Sequence, residues 1–258
     1  MRASWSALVL LVLAVPAVAQ PKPATVKAFD GYVTAAEARV RAEETSRTSF
    51  LRNSPVDARL RRGEVLVEQV GQTPQEIDGG MIHDWVGTAF LPGANVTQVL
   101  ALMQDYDHTA EHFRPEVQAS RLLSRAGDDF HIFMRLRKHK VITVLLDTEY
   151  DVQYGRLDAQ HWFSESRSTR IEEVDGGDHG FLWRLNTYWR FVQVDEGVLV
   201  QCEAISLTRD IPTGLGWMVG PFVTKIPRES LEFTMVKTRG AVIGRTDSSR
   251  AQNGGNHE

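Results

Sequence analysis

Between residues 116 and 207 the chain lays down strand-like segments in close succession, with only short turns between them. That series limits the possible folds more than any other feature. The segments are 116–124, 130–137, 141–152, 161–174, 181–194 and 197–207, and the turns carry Gly127-Asp128, Gly155, Asp175-Gly176-Gly177 and Asp195-Glu196-Gly197. Neighbours joined this closely are antiparallel, because a parallel pair needs a long crossover. Pairing the last hairpin about its turn sets Tyr188 opposite Glu203 and Arg190 opposite Gln201. Trp189, Phe191, Val200, Cys202 and Ala204 then share the other face, which should point into a core. The only cysteine, Cys202, therefore reads as a buried small hydrophobe, and a disulfide within the chain is excluded.

The flanks add helices. Residues 81–90 alternate as a strand, with Ile82, Val86 and Phe90 on the side of Asp84 and Thr88, and Trp85 on the other. Asn95 can cap a helix carrying Val96, Val99, Leu100 and Met103, because its side chain can accept from free first-turn amides. A second short helix, 105–113, ends before Pro115. Residues 214–243 are helical but interrupted at Pro221 and Pro227, and Pro227 suits the first turn of a new helix. Phe233, Val236 and Ile243 fall on one face of it, and Leu231, Met235 and Val242 on nearly the opposite one. A helix apolar on two sides is buried on two sides, and the expected cover for the second is the N-terminal helical segment within residues 20–62. A short strand at 64–70 and a turn-rich linker at 71–79 follow that segment.

The ends read differently. Arg2, the apolar run 7–15, Pro16 and Ala17-Val18-Ala19 form a secretory signal of residues 1–19, with Gln20 as the mature start. The run is too short to span a bilayer comfortably, which takes about 20 apolar residues. The chain is thus expected to be secreted or periplasmic, with no transmembrane span in its mature part. Residues 246–258 are polar and rich in Gly and Asn, and are expected to be disordered. The mild net charge of −4, mixed in sign, excludes a basic nucleic-acid stripe.

The order strand, two short helices, six strands, long helix resembles the START-like superfamily, which includes the polyketide cyclase/dehydrase and coenzyme Q-binding families. The likeness covers about residues 80–245. Its local carriers are Asp105-Tyr106-Asp107-His108 with Phe113-Arg114-Pro115-Glu116-Val117, and the run from Gly220-Pro221-Phe222 through Lys225-Ile226-Pro227 to Leu231. The resemblance implies an α+β helix-grip fold: a curved antiparallel sheet around a long C-terminal helix, here with an extra N-terminal helix. It also implies a cavity between sheet and helix for an apolar or amphipathic ligand such as a lipid, quinone or polyketide-like molecule. Candidate lining residues are Trp85, Phe133, Trp162, Trp189, Trp217, Met218, Phe222 and Phe233. The superfamily shares no catalytic residue, so none is assigned, and no cofactor or metal is expected.

Other constellations carry less. His108-Thr109-Ala110-Glu111-His112 fits H-x-x-E-H, a zinc-protease pattern, but sits on a short helix stopped by Pro115. Neither a nucleophile elbow nor a phosphate-binding loop is present. Asp147 and Glu149 share a strand face and read as solvated outer carboxylates. Arg135, Arg137, Lys138 and Lys140 read as a solvated basic edge, and Tyr188 with Glu203 as an outer cross-strand contact. Three readings compete: a carrier of a hydrophobic ligand, with transient membrane contact; a cyclase- or hydrolase-like enzyme using polar cavity residues; and an interaction protein with a filled cavity. The oligomeric state is open.

Overall fold

The computed structural model describes residues 20–52, 58–139, 143–174, 181–210 and 225–254, with side chains described to residue 245. It contains the helices α1 (Pro23–Glu44), α2 (Ala58–Arg61), α3 (Val96–Met103), α4 (Thr109–His112) and α5 (Ile226–Gly254). The strands are β1 (Leu66–Gln69), β2 (Gln75–Ile77), β3 (Gly80–Pro92), β4 (Val117–Ala126), β5 (Asp129–His139), β6 (Thr143–Arg156), β7 (His161–Glu173), β8 (Arg184–Val194) and β9 (Gly197–Arg209). All belong to one open antiparallel sheet in the order β1-β3-β9-β8-β7-β6-β5-β4, with β2 also on β3. Strands β4 to β9 follow one another as a meander, as the short turns require. The helix pair α3–α4 lies in the connection between β3 and β4, and β3 returns to pair with β9 along its whole length. The α+β helix-grip architecture expected from the element order is what the chain adopts.

Local signals explain the element ends. Asn95 caps α3 through its side chain at 2.9 Å from the Gln98 amide, and Gln98 reaches back to the Asn95 amide at 3.0 Å. This reciprocal capping box satisfies two amides that a helix start leaves free. Pro227 sits in the first turn of α5, where its missing amide costs nothing. In the last hairpin Tyr188 pairs with Glu203 and Arg190 with Gln201, the register read from the sequence.

The inner face carries the main core. Trp189, Phe191, Val198, Val200 and Cys202 pack with Leu231, Met235 and Val242 of α5. Helix and sheet approach closely at Gly87, where a Cβ would stand 2.7 Å from Met235 Cγ and 3.1 Å from Leu231 Cγ. Glycine there sets how deeply α5 sits in the sheet.

Four expectations change. First, α1 does not cover α5. Its stripe Phe29, Val33, Ala36 and Val40 packs on the outer face of the sheet, against Ile82, Trp183, Tyr188, Ile205 and Leu207. Those outer residues are apolar at helical reach, so the sheet back offers α1 a better partner than α5 does. Second, the opposite face of α5 divides: Phe233 packs inward beside Leu136 and Leu146, whereas Val236 is 52 % exposed. Third, β2 lies within the stretch read as a linker, because Gln75, Glu76 and Ile77 find free edge positions on β3. Fourth, α5 continues to Gly254, past the point where a disordered tail was expected to begin; residues 246–254 contain no proline to stop it. The signal segment 1–19 lies outside the described residues.

The Gly87 contact yields a test. Gly87→Val should cost about 1–3 kcal/mol, the usual range for overpacking a close approach. For a chain of this size that lowers the thermal midpoint by several degrees, as read by circular dichroism.

Candidate functional site: the cavity between sheet and helix

Strands β5 to β9, the α3–α4 region and α5 enclose a cavity of about 260 Å³. Strand alternation selects its walls. On β5 and β6 the inward rows are Ile132, Met134 and Leu136, and Val144, Leu146, Tyr150 and Val152. Leu231 and Phe233 close it from α5, and Trp189, Cys202 and Ala204 form its floor. The wall is therefore mostly hydrocarbon and aromatic.

Polar groups enter it in a restricted way. Tyr106 and Tyr154 share a hydrogen bond of 2.9 Å, and the Tyr154 hydroxyl donates to the Met103 carbonyl at 3.2 Å. Burial pushes both phenols above their ordinary range, so both are neutral. Tyr150 is buried, and burial raises its hydroxyl to about 12 against a smaller opposing effect of Thr148. Behind the wall His83 Nε2 lies 3.1 Å from Thr208 Oγ1, and burial lowers the imidazole to about 4, keeping it neutral. The only acidic and basic side chains among the described lining residues are Glu116 and Lys138, which pair with one another. Burial lowers the Lys138 ammonium, and Glu116 opposes that shift by attraction and hydrogen bonding.

The structure brings together two of the sequence candidates and separates the others. Trp189 and Phe233 line the cavity. Trp85 faces inward but packs against the main core instead of the cavity, with its indole N–H buried and unpartnered. Phe133 is on the outer face, since Ile132 and Met134 take the inner positions, and Arg121 lies 5.0 Å over its ring. Trp162 sits near the β6–β7 turn beneath Arg156, at 5.2 Å, beyond the cavity. Trp217, Met218 and Phe222 lie outside the described residues.

The basic edge also divides. Arg135 is outward and grips Asp147 through two bonds of 2.7 and 2.8 Å. Lys138, read as solvated, is inward, and its side chain is only 17 % exposed. It occupies the row of Phe130, Ile132, Met134 and Leu136. A lone lysine in phase with an apolar row was the signal that could have found it. Lys140 lies outside the described residues.

The H-x-x-E-H segment does not converge on an open site. His108 Nδ1 is 2.6 Å from Asp105, and the Arg245 guanidinium stands 2.8 Å from His112 Nε2. A positive group thus holds the nitrogen a metal would need. Cys202 is buried, and burial beside Glu203 pushes its thiol up, in keeping with a packing role.

The inward face gripping α5, with α3 and α4 between β3 and β4, decides the fold type. The fold is a helix grip. Three solved structures are similar to the chain. A STAR-related lipid transfer protein from Xanthomonas axonopodis is 17 % identical, with 65 % of this chain and 96 % of that one covered at a TM-score of 0.48. An aromatase/cyclase from Streptomyces is 12 % identical, covering 64 % and 94 % at 0.43. Human STARD10 is 8 % identical, covering 77 % and 84 % at 0.47. No protein-family model and no curated protein matches the chain.

The ion pair gives a signed prediction. Glu116→Gln removes the attraction but leaves the burial, so the Lys138 pKa should fall further. Titration of isotopically methylated lysine by NMR, assigned with Lys138→Arg, reads it.

Proposed function

We propose that this chain is an exported binding protein for a small amphipathic molecule held between sheet and C-terminal helix. The observation that carries the reading is the cavity of about 260 Å³, mostly apolar, with Ser, Thr and Tyr hydroxyls in its wall and one partly buried Glu116–Lys138 pair as the only charged groups among its described lining residues. Ligand sites are concave, mostly apolar and supplied with few polar groups, commonly within roughly 300–1,000 Å³. A cavity of about 150 Å³ already accepts benzene. The space here therefore suits one or two rings, or a short acyl chain, and not a whole phospholipid.

The ion pair gives the ligand a direction. The apolar body lies against Trp189, Leu146 and Phe233, and an acidic or hydroxylated end meets Lys138. A carrier is favoured over a hydrolase because the acidic and basic groups of the wall neutralise each other and the neighbouring phenols are neutral. Such an arrangement orients a ligand better than it moves protons. Export rests on the signal-like residues 1–19. Among the described residues no helix is long and apolar enough to cross a membrane.

Native mass spectrometry of the processed protein, compared with a denatured sample, tests the reading. The expected result is a retained small mass lost on denaturation. Ala204→Phe places a ring into the cavity from its floor. The variant should keep the wild-type circular dichroism spectrum and lose that mass. Retention of the same ligand by a folded Ala204→Phe protein would count against the cavity as its site.

A further inference from the structure

The back of the sheet holds charges that α1 buries. Asp84 on β3 and Glu203 on β9 are diagonal neighbours and are 1 % and 2 % exposed. Arg190 and Tyr188 on β8 are equally hidden. The counter-groups come largely from α1 and the segment after it. Arg39 grips Glu203 with both terminal nitrogens, and Arg52 stands 3.9 Å from the same carboxylate. Arg190 lies 2.7 Å from Glu43 and 4.0 Å from Glu44. Glu37 accepts from the Tyr188 hydroxyl at 3.0 Å and pairs with Arg167 at 2.7 Å.

Asp84 is left over in this arrangement. Its Oδ2 accepts from the Tyr32 hydroxyl at 2.8 Å, and its Oδ1 is buried with no partner. The nearby guanidiniums of Arg39 and Arg52 are directed at Glu203. Two carboxylates under one cover with shared counter-charges do not both ionise readily. Burial and the Glu203 charge together raise the Asp84 carboxyl well above the carboxylate range. Glu44, on α1 itself, faces Arg190, Glu43, Arg41 and Glu165, and burial raises it to about 7.

We propose that α1 is a proton-dependent strap: Asp84 holds a proton while the helix is docked, and losing that proton loosens α1 from the back of the sheet. Loosening α1 would return Asp84, Arg190 and Glu203 to water while also uncovering Ile82, Ile205 and Leu207, so the charges favour release and the apolar stripe opposes it. On the helix side, Phe29, Val33, Ala36 and Val40, with Tyr32 packed beside them, hold the docked state by apolar contact. A group whose pKa is raised by docking favours the docked state at low pH and opposes it as pH rises through the raised value. Glu44 acts with the same sign. Each proton released weakens docking by up to about tenfold per pH unit within its window.

Amide hydrogen exchange of the full chain, corrected for the intrinsic pH dependence of exchange, reads this at about pH 6 and about pH 8.5. The α1 amides should lose protection at the higher pH while β9 amides do not. Asp84→Asn keeps an oxygen for Tyr32 without the charge, and Glu44→Gln removes the second titrating group. The double variant should hold α1 at its acid-side protection at both values. Three results would overturn the proposal: wild-type α1 protection that is flat with pH, a slope that persists in the double variant, or β9 amides opening together with α1.

Discussion

The long pairing of β3 with β9 is the contact on which the rest of the structure depends. It joins residues 80–92 to residues 197–209 across the intervening meander. Once the register is set, a two-residue alternation decides everything on both faces. Gly87 falls beneath α5, His83 meets Thr208, and Ala204 and Cys202 look into the cavity. Asp84 and Glu203 are sent to the back, where α1 arrives. A slip of one residue would turn one strand's apolar set away from α5 and bring Asp84 or Glu203 to the inner face, so the register is strongly specified.

Each face uses a different chemistry. Inside, helix and sheet exchange hydrocarbon and aromatic surface, which contributes roughly 25 cal/mol per Å² removed from water. Outside, a thin apolar stripe is reinforced by buried ion pairs, whose desolvation cost offsets much of their attraction. The first arrangement gives a firm core and the second specifies a position more than it stabilises it. A cavity on the firm side and a helix held by charges on the other thus occupy opposite faces of the same strands β8 and β9. The Glu116–Lys138 pair is the exception inside, the one charged contact among the described residues that line the cavity.

Much of the architecture was legible because strands joined by short turns have few alternatives. The hairpin register of Tyr188 and Glu203, the Asn95 cap and the role of Cys202 all follow from local pattern. The site was legible in part. Trp189 could be assigned because its hairpin partner fixed its face. Phe133 could not be, because an aromatic at a strand position says nothing of phase; the row Phe130, Ile132, Met134, Leu136 decides it. Lys138 was hidden by its neighbours Arg135 and Arg137, which are outward and made it look like part of a solvated run.

The sequence by itself determined the order of elements, their antiparallel pairing and the burial of the last hairpin, since these depend on spacing and alternation within short stretches. Only the tertiary structure decided that α1 lies on the back of the sheet and not on α5. It alone turned Tyr188, Arg190 and Glu203 from an outer polar face into a buried network, and set the size of the cavity. Those outcomes depend on which distant surfaces meet, and an amphipathic stripe records that it must be covered without recording by what.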